Sequence, residues 1–355
     1  MRVSFAVTLT AIFMAGVTML GCSGAASSQP ELRSSASPGP VSKQNLTINQ
    51  APEKYSYDDF IGDLQKLQSN YSGKIHCVKL CDTHDGRGVY DIVLGDPNGP
   101  NQALIFGAMH AREYITTQVV MRQLCDAIDV LNGFDTGTYR DQSKKALLEN
   151  CTIHFIPMNN PDGVSISQFG LAGIRDENLR EAVAAMADDD FEQWKANGAG
   201  VDLNRNFDAG WYEFGGSPAP AAERYKGAFP GSEPESAALI KLTEKYNLRR
   251  AISYHTCGAL IYWYYMQSGD VLAESQRFAG LISEETGYTL DDDYTTVDAA
   301  GYKDWAVYKM GIPSITIEIG AEMGRSIENP VPISRFGDIW EQNRNVVYAV
   351  AYSLQ

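Results

Sequence analysis

Positive charge is what this chain has least of. Its 29 lysines and arginines face 44 aspartates and glutamates, a formal net charge of -15 over 355 residues, and no stretch gathers the cations into a basic patch. That excludes nucleic-acid binding, whose affinity comes from lysine and arginine displacing counter-ions from phosphate. The acidity favours solubility and says little about a substrate. Histidine is scarce too, with five in the chain, so few imidazole ligands are on offer. Long apolar runs are confined to residues 3–20. Residues 23–50 hold Ser, Ala, Gly and Pro without apolar periodicity, too short a stretch for a folded inhibitory pro-domain, so activation by proteolysis is not indicated. The rest, with 44% hydrophobic and 21% charged residues overall, has an ordinary globular composition.

Arg2 gives a short positive start, an apolar stretch follows, and the chain then reads Met19-Leu-Gly-Cys22. Residues 1–22 look like a bacterial lipoprotein signal in which Cys22 becomes the lipidated N-terminus. An ordinary secretory signal and a retained anchor helix are the alternatives. Durable anchoring at Cys22 takes more than one acyl chain. Residues 23–52 read as a flexible tether and residues 53–355 as one folded domain. An extracytoplasmic place in a bacterial cell envelope, with membrane contact through Cys22, is expected, or else secretion. With Cys22 lipidated, Cys77, Cys81, Cys125, Cys151 and Cys257 remain, so at least one thiol is free. Cys77 and Cys81 on one strand stand roughly 13 Å apart, too far for a disulfide.

Helical spacing appears over 57–71, 114–131, 233–246, 271–286 and 336–354, with one or two short helices over 176–195. Strand patterns appear over 74–80, 89–94, 103–106, 151–157, 250–255 and 313–318. Strands alternating with helices predict an α/β single domain, with a mixed, largely parallel twisted sheet and helices on both faces. Residues 198–231 form a long Gly- and Pro-rich loop, a length that is usually functional. The aromatic run Tyr262, Trp263, Tyr264 and Tyr265 is expected to pack on the sheet. His76 and His84 are expected to be structural or solvated, and His154 to be a core or sheet-face residue.

The chemistry centres on Phe106-Gly-Ala-Met-His-Ala-Arg-Glu-Tyr114. It sets His110 and Glu113 at a strand-to-helix turn, close enough to bind one metal ion. Imidazole and carboxylate both suit Zn²⁺, which takes three protein ligands and a water at catalytic sites. His255 ends one strand pattern and Glu318 another. A carboxylate that ends an apolar strand is costly to bury without a partner.

His110-Ala-Arg-Glu113, Asn160-Pro-Asp-Gly163, Gly200-Val-Asp-Leu-Asn-Arg-Asn206, Ser253-Tyr-His255 and Asp304-Trp305 followed by Glu318 together resemble the zinc metallocarboxypeptidase family, over roughly residues 53 to 355. The resemblance implies one Zn²⁺ held by His110, Glu113 and His255, with Glu318 as general base and Arg175 as stabiliser of the oxyanion. Asp202 matches a position that orients the first zinc-binding histidine. Asn204 and Arg205 match the pair that binds a free C-terminal carboxylate. A mobile tyrosine closes the site in the family; Tyr294 is the candidate, with Tyr302 the other possibility. A monomer is expected.

Lys303 falls at the base of the family's specificity pocket and suggests a substrate side chain carrying a carboxylate, glutamate or diaminopimelate. Trp194-Lys-Ala-Asn197, Gly301-Tyr-Lys-Asp-Trp305 and Asn329-Pro-Val-Pro-Ile-Ser334 resemble the bacterial γ-D-glutamyl-diaminopimelate peptidases, which act on cell-wall peptides. Some of those enzymes depart from the Asn-Arg pair that this chain keeps, so a murein peptide and an acidic C-terminal peptide are both live substrates. The other readings are an aspartoacylase-type zinc deacylase, which shares His-x-x-Glu and Asp-Leu-Asn-Arg, and a non-catalytic peptide-binding protein on the same fold.

Overall fold

The computed structural model describes residues 45–71, 73–187, 190–291, 299–320 and 329–355. In chain order its first elements are α1 (Tyr57–Asn70), β1 (Ile75–Asp82), β2 (Gly88–Leu94), β3 (Gln102–Phe106) and α2 (Ile115–Leu131). A small hairpin of β4 (Thr138–Tyr139) and β5 (Gln142–Ser143) leads into α3 (Lys144–Glu149), β6 (Thr152–Ile156), α4 (Pro161–Phe169) and α5 (Glu177–Met186). After a long loop come α6 (Pro234–Lys245), β7 (Leu248–Thr256), β8 (Leu260–Tyr262), α7 (Gly269–Thr286), β9 (Thr289–Leu290), α8 (Tyr302–Tyr308), β10 (Ser314–Ile319), α9 (Phe336–Asn343) and α10 (Val346–Ser353).

Among the described residues eight strands form one sheet in the order β1-β2-β6-β3-β7-β10-β8-β9. The central four, β6, β3, β7 and β10, run parallel; β1, β2 and β8 pair antiparallel with their inner neighbours. The mixed, largely parallel sheet expected from the sequence is what forms. β3 and β6 are buried along their whole length, as strands covered on both faces must be. Side-chain alternation splits them between two cores. Ala103, Ile105, Ile252, Tyr254, Ile315 and Ile317 face the helices α2, α7 and α10. Leu104, Phe106, Ala251 and Ile156 face α6 and α8.

The same alternation positions the chemistry. On β10, Ile315, Ile317 and Ile319 belong to the first core, so Ser314, Thr316 and Glu318 point to the other face. Glu318 pairs in register with His255 on β7. Both therefore look out on one side, at the carboxyl ends of adjacent parallel strands, where open α/β sheets place their ligands.

Three expectations change. The tether ends earlier than residue 52: Ile48 is buried, and the Asp63 carboxylate accepts the backbone N–H groups of Thr47 and Ile48 at 2.7 and 2.8 Å. Apolar periodicity cannot show a docking made through one buried carboxylate. The final helix breaks near Arg344 into α9 and α10. The run after His255 forms only the three-residue strand β8; Trp263 and Tyr265 pack into the cores as expected, but the tyrosines of the run also line the cleft described below. Cys77, Cys81, Cys125, Cys151 and Cys257 are all free thiols.

Candidate metal centre and catalytic cleft

The turn after β3 is built by long-range hydrogen bonds. Gly107 donates to Ile156 O and Asn160 donates to Ala108 O, while Thr116 Oγ1 accepts from Ala108 N. The Asn160 side chain caps α4 and donates to both Met109 O and Ala196 O, each at 3.0 Å. The Asn160-Pro-Asp-Gly163 motif thus fastens the His110 turn to the segment around Lys195, with no need to reach substrate itself.

That turn brings three buried side chains together. His110 Nδ1 lies 2.9 Å from Glu113 Oε1, and His255 Nδ1 lies 2.9 Å from Glu113 Oε2. The two Nδ1 atoms are 3.1 Å apart. Asp202 Oδ1 faces His110 Nε2 at 3.2 Å, which draws the ring proton to Nε2 and leaves Nδ1 as a lone pair. Two imidazole nitrogens and a carboxylate converging on one point need a proton or a cation between them. The donor set, with a carboxylate behind one histidine, fits zinc. Charge follows the same logic. Burial works against ionising Glu113, yet the His110 and His255 rings hold its carboxyl well below the usual range. Asp202 is held low against burial in the same way by His110. Burial, helped by the Lys195 charge, lowers His110; for His255 burial is outweighed by Glu113, and its pKa rises.

Glu318 stands beside this trio. Burial pushes its carboxyl up to about 7; the His255 ring pulls the other way and the Glu113 charge adds to the rise. Gly258 makes room for it, since a Cβ at that position would come within 2.7 Å of Glu318 Cβ.

A cleft of about 440 Å³ opens from His110, Glu113 and Glu318 and is lined by Asn204, Arg205, Lys303, Arg112 and Lys195. Asp202 starts the turn that carries Asn204 and Arg205, accepting from Asn204 N at 3.2 Å. The Arg205 guanidinium lies 5.2 Å from the Phe214 ring centre and donates to Asn204 O. Lys303 Nζ donates to Tyr264 O at 2.7 Å and pairs with Asp304 Oδ1 at 2.5 Å. The expected cation is in the cleft, then, but as half of an ion pair. Tyr262, Tyr264 and Tyr265 also line it, while Trp263 and Tyr265 pack into the cores as expected.

Arg175 is the clear correction. Asp85 accepts the backbone N–H groups of Arg175 and Asp176 at 2.8 and 2.7 Å and pins that turn to the β1–β2 loop. The side chain is half exposed, 3.8 Å from Asp58 and 5.6 Å from the Tyr57 ring centre, and it does not line the cleft. Lys195 does. Its backbone O accepts from Ala111 N, next to His110, and its N–H donates to Ala222 O. The motif Trp194-Lys-Ala-Asn197 stands out in the sequence, but nothing in its spacing assigns Lys195 to the cleft. Tyr302 is core: its ring sits 4.9 Å from Phe106 and its hydroxyl meets Thr243 at 2.9 Å. Tyr294 lies outside the described residues. His154 is buried between Asp91 and Gln102, a sheet-face histidine as expected.

Residues 61–345 match the family described as zinc carboxypeptidase. The chain is 31% identical, over 84% of its length and 73% of the relative's, to gamma-D-glutamyl-L-diamino acid endopeptidase 1 of Lysinibacillus sphaericus. It is 28% identical to metallocarboxypeptidase A of Trichophyton tonsurans, over 61% of this chain and 46% of that one. Its fold is similar to that of bovine thrombin-activatable fibrinolysis inhibitor, solved with a tick carboxypeptidase inhibitor, with a TM-score of 0.67, 19% identity and coverage of 86% of this chain and 98% of that one. It is also similar to carboxypeptidase A from Helicoverpa armigera, with a TM-score of 0.65, 18% identity and coverage of 87% and 77%. The chain belongs to the zinc carboxypeptidase family.

Proposed function

We propose that this protein is a zinc-dependent peptidase that hydrolyses the bond before a C-terminal residue whose side chain ends in a carboxylate, with a diamino acid of the diaminopimelate type as the best fit. The observation that carries the reading is the Lys303–Asp304 pair at the cleft wall, 2.5 Å apart and largely enclosed. A lone lysine suits a simple carboxylate. A lysine beside an aspartate suits a side chain ending in both a carboxylate and an amine. The named activity of the Lysinibacillus sphaericus relative, on a γ-D-glutamyl–diamino acid bond, supports the same choice.

His110, Glu113 and His255 would hold the zinc ion. When bound, zinc polarises the scissile carbonyl and lowers the pKa of water in its open position. Glu318, with its raised pKa, takes a proton from the attacking water and returns it to the leaving amine. Lys195, which lines the cleft where Arg175 does not, steadies with its ammonium group the negative charge that develops on the carbonyl oxygen. Asn204 and Arg205 receive the free carboxylate at the substrate's end. Asp202 holds the His110 ring in its tautomer. A signal segment ending at Cys22 would place the enzyme at a cell envelope, beside cell-wall peptides.

The test is amino-acid release from two peptides by the purified chain, with and without a chelator. One ends in glutamate. The other is a murein tripeptide ending in diaminopimelate. Chelator-sensitive release from the murein peptide, with slower release from the other, is expected. Faster release from the glutamate peptide would make the enzyme a general acidic-end carboxypeptidase; release from neither would overturn the substrate reading.

A further inference from the structure

A second convergence of metal-ligating side chains lies outside the cleft. His84 in the β1–β2 turn meets Glu233 and Glu235 at the start of α6, with one ligand atom from each lying within 4.8 Å of the others. None of the three lines the catalytic cleft. His84 Nε2 is 3.0 Å from Glu233 Oε2. Asn197 Nδ2 donates to Glu233 Oε2 at 2.8 Å and to Glu235 Oε2 at 3.3 Å, so one amide steers both carboxylates towards the same point. Ser232 Oγ donates to Glu233 Oε1.

Glu235 is fully buried, and its other oxygen, Oε1, has no hydrogen-bond partner among the described residues. A buried carboxylate oxygen left without a donor is costly. Neighbouring charge makes matters worse. Asp162 and Asp85 are buried close by, and Arg87 is already paired with both of them. The cluster therefore sets one imidazole and two carboxylates together, with a buried carboxylate oxygen left unpaired among the described residues.

We propose that His84, Glu233 and Glu235 form a second zinc site, with a structural role. One imidazole and two carboxylates are ligands zinc accepts, whereas calcium prefers an all-oxygen set. Ligand distances near 2.1 Å keep two donors of one ion within about 4.2 Å of each other, so binding draws the trio in by a fraction of an ångström. His84 has 38% of its side chain exposed and can make that movement while leaving the ion a path from solvent. The bound ion ties the β1–β2 turn to the head of α6. Through Asn197 it also braces the segment that carries Lys195 and Asp202.

The experiment strips the full chain with a chelator, dialyses it against buffered zinc, and counts bound metal by mass spectrometry. The wild type is expected to bind two equivalents, and His84→Ala and Glu235→Gln one each. Both variants should still release amino acid, because the catalytic trio is intact. Zinc should raise the Tm of the wild type more than that of either variant. One equivalent in the wild type at saturating zinc would overturn the proposal. So would a second equivalent that survives in both variants, which would point to the free thiols. Tighter binding of calcium than of zinc would overturn the assignment of the ion. Should Glu235→Gln fail to fold, the exposed His84→Ala variant decides alone.

Discussion

The two ends of the cleft are made differently. At the metal end His110, Glu113, His255 and Glu318 all sit on or next to central strands, and two pairs of them are close in sequence or in register: His110 with Glu113, and His255 with Glu318. At the specificity end the wall comes from the loops around Tyr262–Tyr265, Ala299–Asp304 and Asn204–Arg205, joined by bonds such as Lys303 to Tyr264 and Tyr302 N to Asn204 Oδ1. Rigid strand ends fix the reaction; loops assembled over long range set what is brought to it. A change at the first end should abolish turnover, and a change at the second should redirect it.

The largest effect is expected from His255→Ala, which removes one of the three side chains that would hold the ion and leaves Glu113 Oε2 buried with only the Thr256 N–H against it among the described residues. Zinc content of the catalytic site should fall to near zero, and release of amino acid with it, both measured on one sample. Next comes the contrast between two cations. Lys195→Met should lower kcat about a hundredfold to a thousandfold, the cost of losing an oxyanion donor, while Arg175→Met changes it less than about threefold, since exposed pairs contribute little. Equal losses in the two variants would return Arg175 to the mechanism. Asp202→Asn should weaken zinc about tenfold to a hundredfold, read by competition with a chelator.

At the specificity end, Lys303→Glu should lower kcat/KM for the murein peptide and raise it for a peptide ending in a basic residue, while the zinc content stays constant. No change of preference would remove the Lys303–Asp304 argument. The smallest effect concerns pH. Glu318 must be ionised to take a proton, so kcat/KM should rise with pH through its pKa. Burial sets that value at about 7 without a bound cation; an ion at the trio favours the carboxylate, so the acid limb should lie below 7 in the zinc enzyme.

The contrast between the ends also explains what the sequence could show. The central strands were legible because burial on both faces writes itself as apolar runs. His110, Glu113, His255 and Glu318 were legible because each follows or ends such a run. Lys195 was not, because its place depends on backbone bonds to Ala111 and Ala222, pairings that no spacing announces. Arg175 misled for the reverse reason. Its distance from Asn160 suited a family position, but the Asp85 carboxylate captures its backbone and turns the side chain towards Tyr57. The aromatic run was legible only in part: Trp263 and Tyr265 pack into the two cores, but hydrophobicity could not show that Tyr262, Tyr264 and Tyr265 also line the cleft.

The most direct test of the account is Glu318→Gln. The amide keeps the shape of the side chain and cannot take the proton. Metal analysis and single-turnover release of diaminopimelate should be measured together on the wild type and the variant. The account predicts an unchanged zinc content at the His110–Glu113–His255 site and turnover reduced at least about a thousandfold. Substantial turnover in a zinc-loaded variant would contradict it, because the proton would then have another route and the cleft another base.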